Sequence, residues 1–182
     1  MKDFKIGYAK NNTMIIDIKD IDFTDKINIM SMINNFANKF KYADVEYALE
    51  ISPINKAYTL MGTEKGVNPK VIGDEALIGS IGVHNHPVPM GKNKGDSFSF
   101  EDLDSANYYK TGKQYLVSGE RRDAFELTKY YSSTEIEIAR NKALRKIWEK
   151  HMENNTEVIY EQEEIMQKLN LFLEGLKFYE NF

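Results

Sequence analysis

An α/β fold is what the sequence predicts, and three observations carry that expectation. Apolar residues Ile29, Ile33, Phe36 and Phe40 recur at helical spacing. Short stretches such as Val45–Ser52 alternate apolar and polar with the period of a strand. A second helical stripe opens at Ser132-Ser133-Thr134-Glu135, which has the form of a capping box. With 182 residues the chain can bury a proper core without covalent staples. It has no cysteine, which excludes disulfides, thiolate metal sites and a cysteine nucleophile, so that any metal must be held by His, Asp, Glu or water.

Along the chain, Phe4, Ile6 and Tyr8, a turn at Asn11-Asn12, and Met14–Ile18 read as a strand or hairpin. Thr24 stands as N-cap for a helix to Phe40. The strand Val45–Ser52 places Val45, Tyr47, Leu49 and Ile51 on one face and Glu46, Ala48 and Glu50 on the other. A turn at Pro53–Lys56, a returning strand Ala57–Gly62, a loop Thr63–Pro69 and a short helical turn within Val71–Ile78 lead to a strand over Gly79–His86. Val88–Ser97, with Gly91-Lys92-Asn93-Lys94-Gly95, has the composition of an exposed loop. Ser99 opens a helix to about Lys110, with Gly112 as its stop. Gln114–Ser118 and Asp123–Tyr131 form a hairpin about Gly119-Glu120-Arg121-Arg122, a tip that calls for no special role. Residues 1–131 are thus expected as one domain. Residues 132–182 are expected as a helical hairpin, its second helix running from Thr156 to about Tyr179 on a heptad-like stripe, and serving as core cover more than as a surface for partners or self-association.

The net charge of −4 and pI near 5.5 argue against nucleic acid as the main partner. No stretch approaches the ~18 apolar residues of a membrane helix. Met1-Lys2-Asp3-Phe4-Lys5 lacks the apolar centre of a signal peptide, so a cytoplasmic location is expected.

Chemistry concentrates at Gly82-Val83-His84-Asn85-His86-Pro87. Side chains two apart on a strand share a face, so His84 and His86 aim their imidazoles together, and Pro87 ends the strand beside a loop. Two imidazoles on one face are half of a zinc site. A hydrolytic zinc needs a third ligand, which Asp102 can supply, and a base that is not a ligand, for which Glu46 and Glu50 both qualify. Ser99 can offer a hydroxyl to the oxygen that becomes negative in a tetrahedral intermediate. Bland explanations compete: H-x-H also describes two polar residues on the wet face of a strand, and S-x-x-D also describes a helix N-terminus.

In their order these residues resemble the JAMM or MPN+ zinc metallopeptidases, and more narrowly the bacterial and phage JAB domains that include the RadC-like proteins. The family pattern is a helix leading into a glutamate-bearing strand, then H-x-H-P, then S-x-x-D. Here it reads as the helix to Phe40, Glu46, His84-Asn85-His86-Pro87 and Ser99-Phe100-Glu101-Asp102. The resemblance covers residues 25 to 130. It implies a JAB/MPN-like, cytidine-deaminase-like fold, with a mixed, largely antiparallel sheet flanked by helices. It further implies Zn2+ on His84, His86 and Asp102, Glu46 as general base, preferred over Glu50 because the family glutamate opens its strand, and Ser99 as the oxyanion or water-orienting hydroxyl. The activity implied is hydrolysis of peptide or isopeptide bonds, with a protein or peptide substrate such as a ubiquitin-like protein. One departure stands out: the twelve residues between His86 and Ser99 exceed the family's usual spacing, which leaves Asp96 and Asp104 as alternative third ligands. His151 is expected away from the site, and Lys92 and Lys94 on a solvated loop that lies near enough to meet a carboxylate. Two rival functions remain: a catalytically silent JAB-like interaction module of a phage or mobile element, and a RadC-like DNA-associated protein, which the acidic balance disfavours.

Overall fold

The structure is a computed structural model that describes residues 12–182. The alternation of Phe4, Ile6 and Tyr8 falls outside the described residues. The described chain has an α/β architecture built on one seven-stranded mixed sheet: β1 Met14–Asp20, β2 Tyr47–Ser52, β3 Lys56–Met61, β4 Ile81–Asn85, β5 Lys113–Ser118, β6 Arg121–Leu127 and β7 Leu176–Glu180, in the order β1-β3-β2-β4-β5-β6-β7. Five helices accompany it: α1 Lys26–Phe40, α2 Asp74–Leu77, α3 Phe100–Tyr109, α4 Ser133–Glu153 and α5 Gln162–Leu169. All strand pairs are antiparallel except β4 with β5. A parallel pair needs a crossover, and here it consists of the 86–99 segment and α3, both of which leave the carboxyl end of β4.

Alternation sorts each strand between two layers. Leu49, Ile51, Val83, Tyr115, Val117 and Ala124 meet the inner stripe of α1, Ile29, Ile33, Phe36 and Phe40. The opposite face, with Leu116, Phe125 and Leu127, is covered by α3, α4 and α5 through Leu103, Ala106, Ala143, Ile147, Met166 and Leu169. The registers set two rows across that second face: Ala48, His84, Leu116, Asp123, and beside it Glu50, Gly82, Gln114, Phe125. The histidines therefore do not sit on a wet strand face.

Several boundaries differ from expectation for identifiable reasons. The N-cap of α1 is Asp25, whose carboxylate accepts the Asn28 N–H at 3.0 Å, while Thr24 turns back to Asp22. The C-cap of α3 is Lys110 in the left-handed region, ahead of Gly112. The largest correction concerns the C-terminal helical hairpin. Its first arm is α4, capped by the Ser132/Glu135 box as expected, but the second arm stops at Leu169, and Leu176–Glu180 is a strand paired antiparallel with β6. A heptad-like spacing cannot register a break of this kind. Gly175 packs where a Cβ would lie 2.8 Å from the Tyr131 hydroxyl, its N–H donates to that hydroxyl, and its carbonyl accepts from Thr128 N–H, which turns the chain onto the open edge of β6.

Candidate metal centre

His84 is the penultimate residue of β4 and His86 follows the strand end, its N–H donating to Val117 O (3.1 Å) and its carbonyl accepting from Ser118 Oγ (2.7 Å). The two rings face one another with Nε2 atoms 3.2 Å apart. Asp102, in the first turn of α3, straddles them: Oδ1 lies 3.3 Å from His84 Nε2, and Oδ2 lies 3.4 Å from His86 Nε2. Tetrahedral zinc with bonds of about 2.0–2.1 Å has ligand atoms about 3.3 Å apart, so the spacing and the donor types fit a cation of this class. Among the described residues this is the one group of three His, Asp or Glu side chains converging so closely. The carboxylate divides its two oxygens between the rings.

Asp102 is aimed from behind by the capping box. Ser99 N–H and Ser99 Oγ donate to Asp102 Oδ2 at 2.7 and 2.8 Å, and Asp102 N–H donates back to Ser99 Oγ at 3.2 Å. The carboxylate that closes the helix cap is thus the same one that stands between the two imidazoles. Phe98, fully buried, closes the other side, edge-on to the His84 ring at 5.6 Å and to Phe125 at 4.7 Å.

Glu46 lies just ahead of β2, on the face that carries Ala48 and His84. It lines an open cleft together with His86, Asp96, Ser99, Glu101 and Asp102. Val67 N–H donates to its Oε2 at 3.1 Å. Its backbone is fixed by Asn85, whose buried amide accepts from Tyr47 N–H (2.7 Å) and donates to Val45 O (3.0 Å), bracketing Glu46 on both sides. The residue between the two histidines thus sets the glutamate, a role that strand alternation alone did not reveal. Behind the cleft a smaller chamber, about 60 Å³, is lined by Glu46, Glu50, His84, Tyr109, Thr111 and Gln114. Glu50 is buried there and accepts from Ser80 Oγ at 3.0 Å.

The electrostatics follow from burial and proximity. Burial raises the Glu46 carboxyl above its ordinary value, against the pull of His84 and His86. Burial pushes Glu50 to about 7, opposed by the Ser80 hydrogen bond and by His84. Asp102 resists the effect of burial and is held well below the usual carboxylate range by the two imidazoles. His86, although buried, is raised by its hydrogen bond to Asp102 and by the charges of Asp102, Glu46 and Asp96. A metal bound here would compete with protons for the imidazole nitrogens.

Of the alternatives, Asp96 lies on the cleft rim and Asp104 on α3, both outside the converging group. His151 pairs with Thr156 Oγ1 at 2.8 Å on the far end of α4. Lys92 and Lys94 line a separate groove with Arg121 and Tyr160. Arg121 is the buried charge that the sequence pattern did not single out. Far from being an idle hairpin tip, it is buried in β6 with its guanidinium between Asp123 and Glu163. Extending the inward alternation Leu127, Phe125, Asp123 by one more step would have found it. Set against models of known families, curated proteins and solved structures, the chain matches none of them.

Proposed function

We propose that the chain is a zinc-dependent hydrolase of peptide or isopeptide bonds, of the JAMM type, with a JAB/MPN-like fold. The observation that carries this reading is the convergence of His84, His86 and Asp102 at the end of one strand, with a non-ligand glutamate, Glu46, on the same cleft. The helix α1 leading into the glutamate-bearing strand and the mixed sheet are consistent with the family resemblance.

Zinc, which His84, His86 and Asp102 would hold, would supply a Lewis acid and bring the pKa of a water down to about 7. Glu46 would serve as the proton carrier of the hydrolysis, accepting a proton from the nucleophilic water and returning it to the leaving amine. Burial raises this carboxyl in the metal-free chain, which makes it the stronger base. Val67 N–H keeps one of its oxygens in place. Ser99, with its hydroxyl on Asp102, acts by orienting the ligand. Glu50 sits deeper, on the chamber alone, which favours Glu46 as the base. The cleft rim bears Glu64, Asp96 and Glu101 against Lys65, a balance unsuited to a phosphate backbone.

The test pairs elemental analysis with a cleavage assay on peptide and ubiquitin-like isopeptide substrates. Wild type is expected to hold about one zinc per chain, and His86→Ala and Asp102→Ala to lose it. Glu46→Gln is expected to keep zinc while losing about 10²- to 10⁴-fold in turnover. Stoichiometric zinc in Asp102→Ala would sink the ligand assignment, and full activity in Glu46→Gln would sink the base.

A further inference from the structure

The third ligand reaches the site at the end of a long connection, and the contacts that fix residues 93–97 of that connection come from the β5–β6 hairpin rather than from the metal ligands. Residues 93–97 run against the β5–β6 hairpin. Asn93 O accepts from Glu120 N–H at 2.9 Å, and Gly95 N–H donates to Ser118 O at 3.2 Å. Gly119, at φ +61, lets the two segments touch, since a Cβ there would stand 2.1 Å from Asn93 O. Arg121, only 9% exposed, then ties three segments together. Its Nε donates to Gly95 O at 2.9 Å, and its Nη1 reaches Asp123 Oδ2 at 2.9 Å and Glu163 Oε2, in α5, at 2.5 Å. Asp123 Oδ2 also accepts from Ser97 Oγ at 2.6 Å. From there the chain passes directly to Phe98, against His84, and to Ser99, which holds Asp102.

We propose that Arg121 is a positioning residue for the metal centre: by holding Gly95 directly, and Ser97 through the Asp123 carboxylate, against β6 and α5, it sets where Ser99 starts α3 and so where Asp102 stands. This rests on the metal-site reading and adds that the C-terminal segment, through Glu163, is coupled to metal affinity. The fork is specific to arginine. A lysine ammonium is a point donor that cannot hold a backbone carbonyl with one edge and two carboxylates with another.

The experiment measures zinc affinity, by competition with a chromophoric chelator, alongside unfolding of the metal-free chain. The variants are Arg121→Lys, Glu163→Gln and Ile147→Val, the last in the same core but tied to no ligand. Arg121→Lys is expected to weaken zinc about 10- to 100-fold. Glu163→Gln should weaken it by a smaller factor, and Ile147→Val should lower stability with zinc affinity unchanged. Amide exchange of the metal-free Arg121→Lys chain should quicken over residues 95–99. Wild-type affinity in Arg121→Lys overturns the proposal, as does an equal loss in Ile147→Val, which would make the effect one of general stability. If Arg121→Lys does not fold, Glu163→Gln decides by the same criterion. A wild-type chain that takes no zinc overturns the metal reading and this proposal with it, whereas zinc binding indifferent to Arg121 and Glu163 overturns the proposal alone.

Discussion

Glu46 and Glu50 lie on one face, with Ala48 between them opposite His84, yet their surroundings assign them different behaviour. Glu46 opens to the cleft and is steadied by a backbone N–H, whereas Glu50 is closed in with a single hydroxyl donor. A carboxyl whose folded-state pKa lies above its unfolded value binds its proton more tightly when folded, so stability is lost as pH rises from the unfolded value through the folded one. For Glu50 that window runs from the ordinary glutamate value of 4.5 up to about 7. In metal-free protein, Glu50→Gln is therefore expected to gain on wild type by about 2 kcal/mol between pH ~5 and ~8, read from urea midpoints at both ends. A difference that does not change with pH would show that Glu50 titrates normally.

At the scale of elements, two helices begin with the same capping box and only one of them begins at the site. Ser99/Asp102 opens α3 and Ser132/Glu135 opens α4, each with side chain and backbone satisfied reciprocally. Removing either serine hydroxyl is expected to cost about 1 kcal/mol of stability. Ser99→Ala should in addition weaken zinc about 10-fold, since Asp102 loses its orienting donor. Ser132→Ala should leave zinc affinity at the wild-type value. Equal zinc affinities in the two variants, measured by chelator competition, would reduce Ser99 to a helix cap.

For the molecule as a whole, the final strand closes a sheet that would otherwise end at β6. Leu176 belongs to the core shared by α3, α4 and α5, and Phe182 stacks edge-on to Tyr115 at 4.7 Å on the opposite face. Ending the chain at Glu174 is expected to expose the β6 edge and both apolar contacts. The truncated protein should unfold at lower urea and scatter light on concentration, because a long unpaired strand invites edge-to-edge association. A truncated chain with the wild-type midpoint that stays monomeric would show that β7 is dispensable.

Local pattern determined a large part of this protein. The α/β class, the inward stripe of α1, the face shared by Glu46, Ala48 and Glu50, and the pairing of His84 with His86 all follow from periods of 3.6 and 2, which are properties of the backbone read a few residues at a time. Ser99 and Asp102 were legible for the same reason, since a capping box spans only four residues. What the tertiary structure decided involves contacts distant in sequence. That Asp102, and neither Asp96 nor Asp104, reaches the histidines depends on where Arg121 and Asp123 pin the preceding segment. That Asn85 brackets Glu46 depends on how β4 lies beside β2. That residues 176–180 form a strand depends on the open edge of β6, a partner about fifty residues away whose hydrogen-bonding groups no local period records.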